Sequence, residues 1–326
     1  MQFLEVNAIS KQQRGIFVVK DVSFNQQRSQ KIAIAGETGS GKSTLLRIIA
    51  GLEQADTGEV WFEGIKVIGP EEKLIPGHPG IAYLSQQFEL RNNYRVEEVL
   101  DYANKLSNEE AALIYEICRI NHLLQRRTDQ VSGGEKQRIA IARLLISSPR
   151  LLLLDEPYSN LDMIHKTILK SVIQDLGEML KISCILISHD PIDTLSWADE
   201  LIVMKDGKIL QQGLPEQIYR QPVDEYTGGL FGKYNLVDPS ESMTFSRLSD
   251  SQTTGKKRFI RPESFTIVAK ETNIKGNVQR VTFAGSSYEI DVLVSNKTLT
   301  VKSNVGKYLQ GDTVFLSLSP DDVWYL

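Results

Sequence analysis

The chain has 326 residues, enough for two domains with a core each. With 41% hydrophobic and 24% charged residues and a net charge of −4, it has the composition of a soluble globular protein and no global pull toward nucleic acid or anionic lipid. The opening MQFLEVNAISKQQRG lacks the pattern of a secretory signal, and no apolar run reaches the roughly 18 residues of a membrane span, so a role at a membrane would need another chain to supply the spans.

Taken in order, residues 1–236 read as alternating strands and helices. KIAIAG (31–36) is followed by the helical run TLLRIIAGL (44–52), and Val96 to Arg127 has helical periodicity with few strand formers. That stretch predicts a small helical subdomain, at about 88–150, inserted into an α/β body. LLLLDEP (151–157), SCILISH (183–189) and ELIVMKDGKILQQG (200–213) are near-continuous apolar runs, as in a sheet buried on both faces. Residues 237–257 hold five Ser and three Thr without apolar period and read as a linker. From 258 to 326 only short β-type runs follow: KRFIRPESFTIVA (257–269), GNVQRVTF (276–283), SSYEIDVLV (286–294), KTLTVK (297–302), DTVFLSLS (312–319) and DDVWYL (321–326). Five or six such strands, with turn residues between them and no intervening helix, predict a small OB-like barrel. Cys118 and Cys184 sit among apolar neighbours and read as buried thiols of a reducing compartment. The four histidines show no ligand spacing.

Three motifs carry chemistry. GETGSGKS, Gly36 to Ser43, fits G-x-x-x-x-G-K-S between a strand and a helix. Its glycines let backbone N–H groups turn toward phosphates at the positive end of the helix. The phosphate-binding candidates are Gly36, Glu37, Thr38, Gly39, Ser40, Gly41, Lys42, Ser43 and Thr44, with Lys42 reaching the β- and γ-phosphates and Ser43 ligating Mg²⁺. LLLLDEP ends an apolar strand with two carboxylates. Asp155 faces Mg²⁺ and Glu156 polarises the attacking water, although paired acids after a strand are as often a solvated turn. VSGGEKQRIAIARLL, Val131 to Leu145, opens with a capping box, Ser132 and Glu135, ahead of an apolar face of Ile139, Ala142 and Ile146.

In that order, the motifs resemble those of the ATP-binding cassette (ABC) ATPases. VSGGE stands for the family's L-S-G-G-Q signature, with Val131 and Glu135 as departures. The resemblance implies a P-loop NTPase cassette with an inserted helical subdomain. It makes Gln86, in YLSQQFEL (83–90), the Q-loop residue that senses Mg²⁺, Ser159-Asn160-Leu161-Asp162 the D-loop, and His189 the switch histidine at the γ-phosphate. It also implies a dimer, either of two copies or of this chain with a related ATPase. Each of two ATPs would lie between Lys42, Ser43, Gln86, Asp155, Glu156 and His189 of one subunit and Ser132, Gly133 and Gly134 of the other. Where the family commonly stacks adenine on an aromatic ring, this chain has Gln13; the nearby Phe17 reads as a strand residue facing the core. Phe88, Leu90 and Tyr94 are candidates for a groove that receives a permease helix, or equally for ordinary core.

RPESFTIV (261–268), GNVQRVTFAGSSYEIDV (276–292) and GDTVFLSLSPDDV (311–323) resemble a TOBE domain, as found in importer ATPases. The implied protein is the ATPase of an importer at the cytoplasmic side of a bacterial inner membrane, coupled to separate permease chains and an extracytoplasmic substrate-binding protein, without a nucleic-acid partner. PVDEYTGGLFGKYNLV (222–237) is similar to the subgroup serving polyamines, ferric iron, sulfate, molybdate or sugars, with polyamine or ferric iron as the leading cargo. The single cassette and the short Lys42–Ser132 interval speak against soluble ABC ATPases of translation or repair, filled catalytic positions against an inactive scaffold, and the tail against an exporter.

Overall fold

The computed structural model describes residues 3–86, 90, 93–238 and 255–326. The chain divides into two compact units, 1–215 and 216–326.

In the first unit, β1 (Leu4–Gln13), β2 (Ile16–Gln26), β4 (Thr57–Phe62) and β5 (Ile65–Lys66) form an antiparallel sheet in the order β2-β1-β4-β5. The second sheet contains β3 (Lys31–Ala35), β6 (Ile81–Leu84), β7 (Leu151–Asp155), β8 (Ser183–Ile187), β9 (Glu200–Lys205) and β10 (Lys208–Gly213), ordered β10-β9-β3-β8-β7-β6. It is parallel except for the β9–β10 pair, so the run 200–213 is a hairpin. Its apolar strands follow from burial on both faces. Leu151 and Leu153 enter a cluster with Leu45, Ile49 and Phe62, while Leu152 and Leu154 enter another with Ile139, Ile141 and Val172. The period of two thus splits one apolar run between two cores.

The helices are α1 (Lys42–Ile49), α2 (Val96–Asp101), α3 (Asn108–Ile117), α4 (Gly133–Leu145), α5 (Met163–Met179) and α6 (Pro191–Leu195). Capping side chains start several of them: Ser107 for α3, Asp162 for α5, and Asp190 followed by Pro191 for α6. Cys118 and Cys184 are buried free thiols, each pushed up to about 12 by burial. Among the described residues no helix is long and apolar enough to cross a membrane.

The second unit takes in α7 (Pro215–Arg220), α8 (Glu225–Leu230) and β11 (Asn235–Val237). The division therefore falls ahead of the expected boundary at 236, because β11 pairs with β12 (Arg258–Ile260). Most of the expected linker, 239–254, lies outside the described residues. Beyond it come β13 (Thr266–Val268), β14 (Ile274–Phe283), β15 (Tyr288–Val294), β16 (Lys297–Ser303), β17 (Thr313–Ser317) and β18 (Trp324–Tyr325). Two sheets result, β11-β12-β18 and β13-β17-β14-β15-β16, around Phe265, Val278, Ile290, Val292, Leu299, Val301 and Leu316. The run 257–269 is broken by a 3₁₀ turn at Pro262–Ser264, which places its halves in different sheets; a second such turn is Pro320–Asp322. The unit is all-β beyond residue 257 apart from these turns, and OB-like.

Candidate active site

The phosphate loop leaves β3 and enters α1. Gly41 caps α1 at φ 95°, and a Cβ there would lie 2.0 Å from the Val18 carbonyl oxygen. At Gly36 a Cβ would lie 2.3 Å from the Met204 carbonyl oxygen. Sterics therefore require both glycines. Lys42 is buried, and its Nζ donates to the carbonyls of Gly36 (2.8 Å) and Glu37 (2.7 Å) and to Ser40 Oγ (3.2 Å). Burial lowers its pKa below the ordinary lysine value despite the opposing fields of Glu156, Asp155 and Glu37. Glu37, Thr38 and Gly39 form the exposed rim, whereas Thr44 is buried and accepts from Arg47 (3.3 Å).

Ser43 Oγ donates to Asp155 Oδ1 (3.0 Å) at the end of β7. The other oxygen of this buried carboxylate accepts from the Tyr83 hydroxyl (2.8 Å) on β6. Burial first, and then Asp155, raise the Tyr83 pKa, which keeps the phenol a donor. Tyr83 escaped sequence reasoning; its only signal was a hydroxyl within an otherwise apolar strand, IAYL.

Glu156 follows β7 with φ 48°, a left-handed conformation uncommon for a residue with a side chain. Its amide donates to the Ile187 carbonyl (3.1 Å), and its carbonyl accepts from Ser159 N (3.1 Å) and Ser159 Oγ (2.9 Å). These bonds hold the turn. The carboxylate accepts from Gln86 Nε2 (3.3 Å), and His189 Nδ1 lies 3.5 Å from the same oxygen. Gln86, Glu156, Ser159 and His189 line a cavity of about 510 Å³. The fold thus gathers Lys42, Ser43, Gln86, Asp155, Glu156 and His189 at the carboxyl ends of β3, β6, β7 and β8, where open α/β sheets bind ligands.

Ser132, Gly133 and Gly134 form a second cluster at the start of α4. Ser132 N donates to Glu135 Oε2 (2.7 Å) and Glu135 N to Ser132 Oγ (3.3 Å), the expected capping box, with Ile139, Ala142 and Ile146 buried behind it. Ser132 and Gly133 are exposed.

One expectation changes. Phe17 lies in β2 but does not face the core: it is 41% exposed, its ring lies 5.3 Å from Lys20 Nζ, and the next residue, Val18, packs its backbone on Gly41. Gln13, at the family's aromatic position, bonds Glu53 (3.1 Å). Of the groove candidates, Leu90 is core at 8% exposure, while Tyr94 lines a cavity of about 410 Å³ with Glu98, Val99, Tyr102, Ala103 and Arg143. Phe88 lies outside the described residues.

Comparison with known proteins places the chain in a family. The ABC transporter family model matches residues 19–159, and the TOBE domain model residues 259–326. The Fe(3+) ions import ATP-binding protein FbpC of Serratia marcescens is 32% identical over 93% of this chain and 93% of its own length. The chain belongs to the ATP-binding subunits of ABC importers. This importer ATPase is also 29% identical to the spermidine/putrescine import ATP-binding protein PotA of Clostridium acetobutylicum, over 98% of this chain and 95% of that protein. The sulfate/thiosulfate import ATP-binding protein CysA of Synechocystis is 28% identical over 90% and 85%. Among solved structures, the ADP conformation of the cassette MJ1267 aligns with TM-score 0.60 at 26% identity, over 71% of this chain and 98% of that one. A dimeric post-hydrolysis state of the cassette MJ0796 with ADP and Pi aligns with TM-score 0.55 at 26% identity, over 65% and 98%. The importer ATPase binds and hydrolyses ATP to drive import.

Proposed function

We propose that two copies of this chain, or this chain and a related ATPase, close on two ATP molecules and pass the motion to separate permease chains on the cytoplasmic side of a membrane. The convergence of Lys42, Ser43, Asp155, Glu156, Gln86 and His189 on one strand-end cluster carries this reading. Lys42 and the loop amides bind the β- and γ-phosphates, and the rim residues Glu37, Thr38 and Gly39 close over them. Glu156, held in its turn by Ser159 and Ile187, is placed to take a proton from the attacking water, with His189 beside it contacting the γ-phosphate. The donor set fits Mg²⁺: the Ser43 hydroxyl and the Asp155 carboxylate are hard oxygens, Gln86 stands near, and this ion uses few protein ligands when phosphates complete its shell. Bound there, it neutralises phosphate charge.

Ser132, Gly133 and Gly134 would complete the site of the second copy, which accords with the exposure of Ser132 and Gly133 at a helix start. Tyr94 and Tyr102 would receive the permease helix. The β-rich second unit would support dimerisation and stability. Of the three relatives named above, one imports spermidine/putrescine, one Fe(3+) and one sulfate/thiosulfate; the cargo proposed here is polyamine or ferric iron, which an extracytoplasmic binding protein would capture. The test is a pull-down of the tagged Glu156→Gln chain with ATP from detergent-solubilised membranes. A multi-span membrane protein is expected; ribosomal or DNA-repair partners without one would overturn the reading.

A further inference from the structure

The first turn of α5 brings a histidine against the signature. His165 Nε2 lies 3.5 Å from Ser132 Oγ. On the other side of the ring, Nδ1 lies 2.7 Å from Asp162 Oδ2, while the His165 backbone N–H donates to Asp162 Oδ1 (2.9 Å). The backbone bond first, and then the ring, hold the Asp162 carboxyl below its usual range. An ionised carboxylate only accepts hydrogen bonds, so Nδ1 carries a proton and Nε2 is directed at the serine. The same ring packs on Gly134: a Cβ there would lie 2.6 Å from His165 Cδ2. One imidazole therefore touches two signature residues and is itself fixed at both ends. Nothing in the nucleotide cluster needs it. Beside it Met163 and Ile164 are 76% and 73% exposed.

We propose that His165 is a positioning residue of the ATPase reaction, an Asp162–His165–Ser132 array that sets the Ser132 hydroxyl for the γ-phosphate held by the opposite subunit. A serine hydroxyl has one proton and a free rotor. The capping bond from Glu135 N uses one of its lone pairs; Nε2–H donating to the other leaves the hydroxyl proton for the phosphate, an arrangement that the Asp162 carboxylate on Nδ1 supports. The packing on Gly134 fixes the backbone that presents it. Pre-orientation of this kind matters where charge is stabilised, because no reorganisation is then needed at closure. The inference rests on the reading of Ser132 as a trans contact to nucleotide.

The test compares ATP turnover and ATP binding for His165→Leu, His165→Gln, Ser132→Ala and the His165→Leu/Ser132→Ala pair. His165→Leu is expected to lower kcat about three- to tenfold, the effect of one hydrogen bond, with ATP affinity of the separate subunit unchanged. His165→Gln, whose amide can still bond Ser132, should recover part of the loss. In the Ser132→Ala background His165→Leu should cost nothing further. Wild-type turnover in His165→Leu, or an additive loss in the pair, overturns the array while leaving the signature reading intact. Full activity in Ser132→Ala overturns both.

Discussion

In the six-stranded sheet of the first unit, β7 and β8 bury every residue along their lengths. In the five-stranded sheet of the second, β14 and β16 bury only alternate residues over much of their lengths. The first arrangement leaves polar chemistry nowhere to go but the strand ends, and Asp155, Glu156 and His189 stand at those ends. The second spreads polar groups over an outer face, where they pair locally: Arg280 with Asp291 (3.2 Å), Thr300 with Asp291 (3.0 Å) and Thr313 with Asn277 (3.1 Å). Concentration of chemistry thus follows from burial on two faces, while an open face yields a ladder of satisfied pairs.

The largest effect that would break this contrast comes from Glu156→Gln. If the strand-end carboxylate is the base, turnover should fall by roughly 10²- to 10⁴-fold. ATP binding should persist, and gel filtration with ATP should show a trapped dimer; steady-state hydrolysis at wild-type rate would remove Glu156 from that role. In the second unit the comparable insult is to packing. Ile290→Ala, at a fully buried position, should cost about 2–5 kcal/mol of that unit's stability in a denaturant titration. The chain that remains folded should bind ATP normally, and lost affinity would show that the second unit shapes the site.

Lys42 sharpens the contrast further, because burial at a strand end tunes a charge. Lys42→Ala should weaken ATP binding by about 1.5–3 kcal/mol, measured by calorimetry. Its pH dependence has two signs. The folded-state pKa is lowered, so between that value and the ordinary lysine value of about 10.4 the unfolded chain binds more protons and stability without nucleotide rises with pH. If the ammonium form holds the phosphates, ATP affinity falls over the same window. Lys42→Ala should abolish both trends.

The sequence made the parts with fixed spacing legible. The P-loop, the carboxylate pair and the capping box at Ser132 are local patterns, and apolar strands bounded by turn residues announced the buried sheet. Contacts that depend on which strands become neighbours were hidden. Tyr83 meets Asp155 because β6 lies beside β7, a pairing across a stretch that spans the whole helical subdomain. His165 meets Ser132 through the packing of α4 on α5, for which spacing gives no hint. The split of 257–269 between two sheets follows the turn at Pro262, which an apolar count passes over. The exposure of Phe17 was misread because β1 and β2 shift register next to it, between Lys11↔Val19 and Gln12↔Phe17. Strand alternation cannot be carried across such a shift.

That irregularity sets up the smallest of the expected effects. A regular β2 would have hidden the ring; instead Phe17 stands exposed one residue from the backbone that abuts Gly41, at the mouth of the phosphate loop. Gln13 is engaged with Glu53, so the aromatic surface available to a nucleobase at this hairpin is that of Phe17. An aromatic stack contributes about 0.5–1.5 kcal/mol beyond area burial. Phe17→Ala should therefore raise the KM for ATP by roughly two- to tenfold at unchanged kcat, the signature of binding energy shared equally by ground and transition states. Phe17→Trp should restore or improve affinity. Stacking discriminates poorly between purines, so ATP and GTP should lose affinity in parallel. An unchanged KM would place base recognition outside the hairpin, and a loss confined to ATP would mean that polar contacts, not the ring, read the base.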